Sequence, residues 1–415
     1  MASARSLRGL DWLNFFSAEV QTGFGAFIAV YLTLHHWTGL AIGSVLSLGT
    51  MVALVSQIPA GVLVDWMRSK RLAAALGLGA IGISATLFVV APTHFGVGLA
   101  EIMHGFASCI VNQAIAAISV ALVGRHLLGL RLGRNVRFAS LGNGLAAAAM
   151  GIAGAWLSGS SVFVLAGLLC IPAGVALAAI GPTPPQRQAL EVQQPKEPPW
   201  REVRALLLDR RLLAFMACIA FFQVADSAML PYVGRKIAGE TSTLADLAIG
   251  AAIVLPQGVV ALLSPLVGRA AERRGRRVVL MAGFAAEPVR GLLFALIHAP
   301  GPLVLVQGLD GIGAAVVGVL LPLIAADIAH ERGHFNLAMG AIGVASGAGA
   351  SASTTLAGAM DSFFGARAAF FALAAAGLAA TLLVWLIMPE SGPGSPGKPV
   401  AGGVPAMGAA RTAGS

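Results

Sequence analysis

Charged residues are scarce in this chain of 415 residues, of which 11% are Asp, Glu, Lys or Arg and 57% are hydrophobic. Soluble domains carry about 25% charged residues, so this composition excludes a soluble globular protein and indicates a chain that crosses a membrane repeatedly. The three cysteines, Cys109, Cys170 and Cys218, all lie in apolar runs. They exclude a disulfide framework and a paired metal-ligand spacing, so we expect neither a metal site nor a cofactor.

The net charge of +9 has its source in the short connections between apolar runs. Of the 27 Lys and Arg residues, 23 fall on the face that holds both termini, one lies within a span (Arg290), and three fall on the other face. The positive-inside rule explains this bias, so we expect no nucleic-acid partner. We expect both termini to be cytoplasmic and the protein to lie in a bacterial inner membrane. The first apolar run contains Glu19 and Gln21, which favours a retained span over a cleaved signal peptide.

Apolar runs of membrane-spanning length divide the chain into a regular series. Twelve runs fit, here numbered spans 1 to 12: 11–34, 40–65, 72–92, 95–123, 134–157, 162–181, 211–234, 245–268, 278–299, 302–327, 336–360 and 366–388. We therefore predict two six-helix bundles, 1–181 and 211–389, joined by a cytoplasmic linker, 182–210, whose end forms a surface-lying amphipathic helix. The Gly, Ala, Pro and Ser-rich tail, 390–415, is predicted to be disordered.

A basic run occurs at the same place in each half, between the second and third span. The second copy, "GRAAERRGRR", begins at Gly268, and the first, "GVLVDWMRSKR", begins at Gly61. This pattern resembles the loop signature G-x-x-x-D-R-x-G-R-R of the major facilitator superfamily. The matching positions are Gly61, Asp65, Lys70 and Arg71 in the first copy, with Trp66 and Arg68 departing from it, and Gly268, Glu272, Arg273, Gly275, Arg276 and Arg277 in the second.

The resemblance extends over about 380 residues and implies the superfamily's fold, in which the two bundles are related by a pseudo-two-fold axis. It also implies a monomer that works by alternating access, with the ten loop residues acting as a conformational lock. A carboxylate beside several guanidiniums at a helix end has the chemistry of such a lock. A second superfamily pattern, R-x-x-Q-G, is approximated at Glu101, His104 and Gly105 in span 4 and at Gln307, Asp310 and Gly311 in span 10.

Ionisable residues within spans are functional candidates because a charge in the membrane costs free energy. By resemblance, spans 1, 4, 7 and 10 line the central cavity, and each holds one acid: Glu19, Glu101, Asp226 and Asp310. With no cation on the cavity spans at comparable depth, such an acid holds and releases a proton near neutral pH, which predicts proton coupling. The same acids would alternatively attract a cationic substrate or, with His104, a divalent metal. Packing is the more frequent role of a lone histidine like His104.

Two further groups of residues complete the predicted membrane interior. Glu287 and Arg290 stand three residues apart in span 9, so we interpret them as a structural ion pair. Uncharged polar residues are candidates for hydrogen bonds to the substrate, or for bridges between helices: Asn14, Gln21, Asn112, Gln113, Gln223 and Gln307.

One motif favours a different class of protein. "HERGH", His330 to His334, satisfies H-E-x-x-H, and "LDG" at Leu309 to Gly311 is similar to the second motif of intramembrane zinc proteases. Gly333 interrupts the helix that the zinc site needs, and LDG precedes the histidines instead of following them. We therefore predict a transporter and no enzyme: a proton-coupled carrier that exports a small organic solute, with import of a nutrient or metal chelate as the alternative.

Overall fold

The structure, a computed structural model, describes residues 3–22, 26–124, 127–156, 160–182, 199–238, 243–329 and 334–390. Every regular element in these ranges is a helix, and none of them contains a β-strand. The all-α prediction is therefore confirmed. The tail from 391 onwards and most of the linker lie outside these ranges, so the predicted domain boundaries and the predicted disorder stay predictions.

The helices of the first half follow the predicted spans. Span 1 comprises Ala4–Thr22 and Ala26–Leu34, and spans 2 to 6 are Gly39–Trp66, Lys70–Val90, His94–Val123, Leu128–Trp156 and Ser161–Ala178. A short helix, Pro199–Leu207, follows the linker, and its Leu206 is buried whereas Arg201 and Arg204 are exposed. This helix is amphipathic, as the sequence predicts.

The second half contains interrupted helices at three spans. Span 7 comprises Arg210–Asp226 and Met229–Ala238, span 9 comprises Arg276–Phe284 and Ala286–Leu296, and span 10 comprises Pro300–Gln307 and Asp310–Ala329. Spans 8, 11 and 12 are continuous over Thr243–Arg274, Phe335–Phe364 and Ala366–Ile387. The three interruptions place Asp226, Glu287 and Asp310 at or next to helix ends.

Length and hydropathy identify membrane helices in most of these elements. Nine helices in the described ranges are long and apolar enough to cross a membrane. Spans 1, 5 and 11 are not among the nine. Span 5 carries Arg131, Arg134 and Arg137, and span 11 is rich in Gly and Ser, so both have lower hydropathy than their neighbours.

Side chains before the helices explain where several spans begin. Thr38, Ser69 and Thr93 each accept a hydrogen bond from a backbone N–H in the first turn of spans 2, 3 and 4, at 3.1 to 3.3 Å. Asp209 does the same for span 7, at 2.8 Å from the backbone nitrogen of Arg211. These caps satisfy donors that the helix itself leaves unpaired.

The two halves pack against each other through spans 2 and 11 and through spans 5 and 8. The two signature glycines lie in these contacts. A Cβ at Gly61 would overlap the carbonyl oxygen of Asn336 in span 11, and a Cβ at Gly268 would overlap that of Gly129 in span 5. Only a residue without a side chain allows so close an approach, so the glycine of each signature copy makes room for the opposite half.

Candidate functional site

The acid of the first signature copy joins the two halves. Asp65, at the end of span 2, accepts hydrogen bonds from the backbone nitrogens of Asn336 and Leu337, at 3.3 and 3.0 Å, and from Nδ2 of Asn336 at 2.7 Å. These donors form the first turn of span 11. The carboxylate therefore satisfies unpaired N–H groups and faces the positive end of the helix dipole.

The acid of the second copy makes the corresponding contact. Oε1 of Glu272, near the end of span 8, accepts a hydrogen bond from the backbone nitrogen of Gly129 at 2.9 Å, in the first turn of span 5. Each half thus holds the first turn of a helix in the other half through its signature acid. We call the end of the molecule where these contacts lie, next to Trp66 and Arg274, the basic-loop face.

The basic residues of the signature act mainly within their own half. The buried ammonium of Lys70 donates to the carbonyl oxygens of Asp65 and Met67, at 3.1 and 2.9 Å, at the end of span 2. Nη1 of the buried Arg276 donates to Ala271 at 2.7 Å, and its Nε donates to Asp327 at 3.1 Å. Lys70 and Arg276 therefore fasten the end of one span to the beginning of the next.

Two signature arginines take no part in the described contacts between the halves. Arg273 is exposed and Arg71 is half-buried, and the described part of the chain contains no ion pair for either. Arg277 donates to the carbonyl oxygen of Trp385. Gly275 adopts a φ of 89° between spans 8 and 9, next to the carboxylate of Glu390.

The candidate substrate cleft consists of two cavities between the halves, beyond these contacts and away from the basic-loop face. One, of about 470 Å³, is lined by residues that include Gln21, Asn112, Asn143 and Gln257, from spans 1, 4, 5 and 8. The other, of about 550 Å³, is lined by spans 2, 4, 7, 10 and 11. Asn112 lines both cavities, so they meet at the middle of span 4.

A cluster of charges lies beside this cleft in the second half. Nη1 of Arg290 is 2.9 Å from Asp226, 2.6 Å from Asp310 and 3.1 Å from Glu287. Arg290 and Glu287 are fully buried, whereas the side chains of Asp226 and Asp310 are 25% and 23% exposed. Ser227, the neighbour of Asp226, lines the larger cavity, so the cluster and the cleft are adjacent along the chain.

This cluster corrects one expectation and extends another. The expectation that the cavity acids have no cationic partner is wrong for Asp226 and Asp310, because Arg290 reaches both from span 9. The predicted pair of Glu287 and Arg290 is present, but it belongs to a group of four. The three carboxylates lie within 4.8 Å of one another, a spacing that would suit a metal ion, and the Arg290 guanidinium supplies positive charge among them.

The remaining predicted acids lie apart from cations. Glu19 and Glu101 are 5% exposed, and neither has an ion pair within the described ranges. Oε2 of Glu19 and Oε1 of Glu101 are buried without a hydrogen-bond partner in this part of the chain. Glu101 lies against Gly49 of span 2, and Nε2 of His104 is 3.2 Å from the hydroxyl of Ser108.

The predicted polar residues fall into four places. Gln21, Asn112 and Gln113 line the cleft. Asn14 is buried and donates to the carbonyl oxygen of Leu10 at 2.7 Å, within its own helix. Gln223 lies against Gly349 of span 11, and Nε2 of the buried Gln307 is 3.4 Å from Asp310, which places Gln307 with the charged cluster.

Sequence reasoning missed several charged residues at the basic-loop face. Asp11 in span 1 forms ion pairs with the buried Arg131 and with Arg134 of span 5, the latter at 2.6 Å. Glu390 accepts hydrogen bonds from the backbone nitrogens of Arg276 and Arg277, at 2.7 and 3.3 Å. The available signal was the position of Asp11 within a predicted span and of Arg131 at the edge of one, where an unpaired charge would be costly.

The zinc-protease alternative finds no support in the described geometry. His330 and Glu331 lie outside the described residues. His334 has a φ of 55° and a ψ of 44° and directly precedes span 11, so its backbone is left-handed. Because H-E-x-x-H needs both histidines on one helix, this conformation is incompatible with the motif.

Comparison with known proteins agrees with this architecture. The sequence pattern of the Major Facilitator Superfamily matches residues 11–255 and 228–412. Two proteins of Mycobacterium tuberculosis, the uncharacterized MFS-type transporters MT2531 and Rv2456c, are each 35% identical to this chain over 344 residues, which are 81% of this chain and 82% of each relative.

Solved structures share the fold at low sequence identity. The Escherichia coli fucose:proton symporter FucP is 15% identical with a TM-score of 0.74, covering 93% of this chain and 99% of that one. The human organic anion transporter MFSD10 (TETRAN) is also 15% identical with a TM-score of 0.71, covering 92% and 99%. The predicted resemblance is thus confirmed, and this multi-pass membrane protein belongs to the Major Facilitator Superfamily of transporters.

Proposed function

We propose that this chain is a proton-coupled secondary transporter that exports a small organic solute across the bacterial inner membrane. It works as a monomer. Its termini are cytoplasmic, in keeping with the Lys and Arg distribution. The solute binds in the cleft between the halves, and the proton binds in the cluster around Arg290. In the state described here, the signature contacts hold the halves together at the basic-loop face.

The observation that carries the proton coupling is the charge balance of the cluster. Three carboxyl groups surround one guanidinium, at distances from 2.6 to 3.1 Å. With all three ionised, the cluster would carry two uncompensated negative charges in a low-dielectric interior, which is unfavourable. A proton on Asp226 or Asp310 relieves the repulsion, and both side chains are partly accessible. Protonation there weakens the attraction of that group for Arg290. A shift of Asp226 then alters the cleft, because its neighbour Ser227 lines the larger cavity.

Proteoliposomes with an imposed pH gradient test this proposal. Solutes are added one by one, and an internal pH-sensitive dye reports proton movement. We expect solute-dependent proton flux in the wild type, and we expect Asp226→Asn and Asp310→Asn to lose it while keeping solute exchange in the absence of a gradient. Glu19→Gln tests one of the two other predicted cavity acids, Glu19 and Glu101, which are both buried and have no ion pair within the described ranges.

A matched control comes from span 11. Asp361 pairs with Arg235 at 2.6 Å outside the cluster, so Asp361→Asn removes a paired carboxylate without touching the proposed proton site. Solute-driven proton flux at the wild-type level in Asp226→Asn, Asp310→Asn and Glu19→Gln alike would contradict proton coupling through these acids. Loss of exchange together with loss of flux would instead indicate that the acids bind a cationic solute directly.

The direction of transport is measured in the same vesicles. Solute that leaves the cytoplasmic side while protons enter supports export. Movement of solute and protons in one direction supports symport, as in the fucose:proton symporter that shares the fold, and hence import.

A further inference from the structure

The lining of the cleft has a distinct chemistry. Carboxamides contributed by five spans face the two cavities: Gln21, Gln57, Asn112, Gln113, Asn143 and Gln257. Span 11 adds the hydroxyls of Ser346, Ser351 and Thr354. Each carboxamide offers a donor and an acceptor side by side, and each hydroxyl offers both on one oxygen. The cleft is therefore rich in uncharged hydrogen-bonding groups.

Charged side chains are missing from this lining. Among the described residues that line the two cavities, none is Asp, Glu, Lys, Arg or His, and none is aromatic. A charged solute buried here would lose its hydration without gaining an opposite charge, which is costly. Arg290, the buried cation next to the cleft, is already surrounded by three carboxylates. The cleft thus disfavours anionic and cationic solutes alike.

The carboxamides are held in place by contacts between spans. Gln21 and Asn112 exchange two hydrogen bonds, at 3.2 and 3.3 Å, which join span 1 to span 4. Gln113, which is 3% exposed, donates to the carbonyl oxygen of Gln57 at 2.8 Å. Its Oε1 is buried next to Gly61 of span 2, so this amide is held at the contact between spans 2 and 4.

From these observations we propose that the transported solute is a neutral molecule with several hydroxyl groups, of the size of a monosaccharide or a small polyol. Adjacent hydroxyls pair with the donor and acceptor of one carboxamide, so a polyol matches a lining built of amides. Cavities of about 470 and 550 Å³ fall in the size range of small-molecule sites. This inference rests on the proposed transport function and adds the substrate class to it.

Counterflow in proteoliposomes without a pH gradient tests the substrate class separately from the coupling. The probes are neutral hexoses and hexitols, each hexose compared with its uronate and its amino sugar, which match it in size and add one charge. We expect at least one neutral probe to exchange at least about tenfold faster than its charged counterparts. Exchange of a charged probe at the same rate as its neutral counterpart would overturn the inference, and so would a lack of exchange for every neutral probe.

Two substitutions in the cleft connect the exchange to this lining. Asn112→Leu keeps the size and removes both polar atoms from the residue that lines both cavities. Thr354→Val removes one hydroxyl, and Thr381→Val in span 12 is its control. Both threonines donate to a carbonyl of their own helix, at 3.0 and 2.9 Å, but Thr381 lies outside the two cavities.

We expect the half-saturating concentration of the neutral probe to rise about threefold to tenfold in each cleft variant, the loss of one or two uncharged hydrogen bonds, and to stay unchanged in Thr381→Val. Equal values in all three variants would contradict binding at this lining. Neutral exchange without gradient-driven proton flux would remove the coupling and leave the substrate class standing. Proton flux driven only by charged probes would support the coupling and overturn the substrate class.

Discussion

Oδ2 of Asp65 lies 3.0 Å from the backbone nitrogen of Leu337, and this hydrogen bond joins the end of span 2 to the beginning of span 11. The two residues are separated by 272 positions in sequence and belong to opposite halves. Glu272 reaches Gly129 in the same way. Alternating access requires the halves to separate at the basic-loop face, so both contacts must break when that face opens.

The first prediction concerns this contact. Asp65→Ala removes three hydrogen bonds to a charged acceptor, each worth about 1.5 to 3 kcal/mol, so the open population of the basic-loop face should rise at least about tenfold. In a background without Cys109, Cys170 and Cys218, a cysteine at Ile58, which lies against Gly340, should react correspondingly faster with a maleimide. Glu272→Ala should act in the same direction.

The signature itself provides the control for that experiment. Arg273→Ala should leave the labelling rate within about twofold of the parent, because Arg273 is exposed and the described residues give it no ion pair. Equal labelling of Asp65→Ala and the parent would refute the lock. A large effect of Arg273→Ala would mean that the arginine acts through a contact absent from the state described here.

The second prediction concerns the signature glycine. Gly61→Ala places a methyl group against the carbonyl oxygen of Asn336 and should push the halves apart, so that the cysteine at Ile58 again reacts faster. Gly43→Ala, on the same helix, is the matched control because its Cβ would meet no atom within 4 Å. Similar labelling rates in the two glycine variants would show that the close approach at Gly61 does not limit closure.

The sequence could identify two acids that join the halves but not what they contact. The spacing of glycine, acid and basic residues identifies Asp65 and Glu272, since it repeats at the same place in each half. Their partners are backbone N–H groups of Leu337 and Gly129, which leave no trace in residue type. Only the packing of one half on the other brings them within hydrogen-bond distance.

The charged cluster could be predicted only in part for a similar reason. The three-residue spacing of Glu287 and Arg290 predicts their pairing on one helix. The reach of Arg290 to Asp226 and Asp310 depends on how span 9 packs beside spans 7 and 10. An assignment of cavity residues by span number excludes span 9. It therefore also excluded Arg290, the cation that pairs with Asp226 and Asp310.

The third prediction concerns Glu390, at the boundary of the predicted tail. Its carboxylate accepts hydrogen bonds from two backbone nitrogens in the first turn of span 9, so it caps that helix. Glu390→Ala should lower the free energy of unfolding by about 0.5 to 2 kcal/mol, the usual cost of a lost helix cap. The midpoint of thermal unfolding in detergent measures this. A truncation after Glu390 should keep the wild-type midpoint, whereas one that also removes Glu390 should lower it.

The fourth prediction separates Glu287 from its neighbours in the cluster. Arg290→Ala removes the guanidinium that pairs with Asp226, Glu287 and Asp310. The side chain of Glu287 is fully buried, and it then loses its ion pair. Breaking a buried pair by removing one partner costs about 3 to 5 kcal/mol, so this variant should express poorly as folded protein. Asp226 and Asp310 are about a quarter exposed and can be hydrated, so their loss of a partner costs less.

The double variant Glu287→Gln with Arg290→Ala should therefore recover a large part of the lost folded protein, because a neutral amide replaces the fully buried carboxylate that lost its ion pair. Asp361→Asn with Arg290→Ala is the control, since it removes a carboxyl outside the cluster and should recover nothing. Fluorescence-detected size-exclusion chromatography measures the folded fraction in all of these variants. Recovery equal in the two double variants would mean that Glu287 and Arg290 are not energetically coupled, and the buried end of the cluster would then owe its stability to packing.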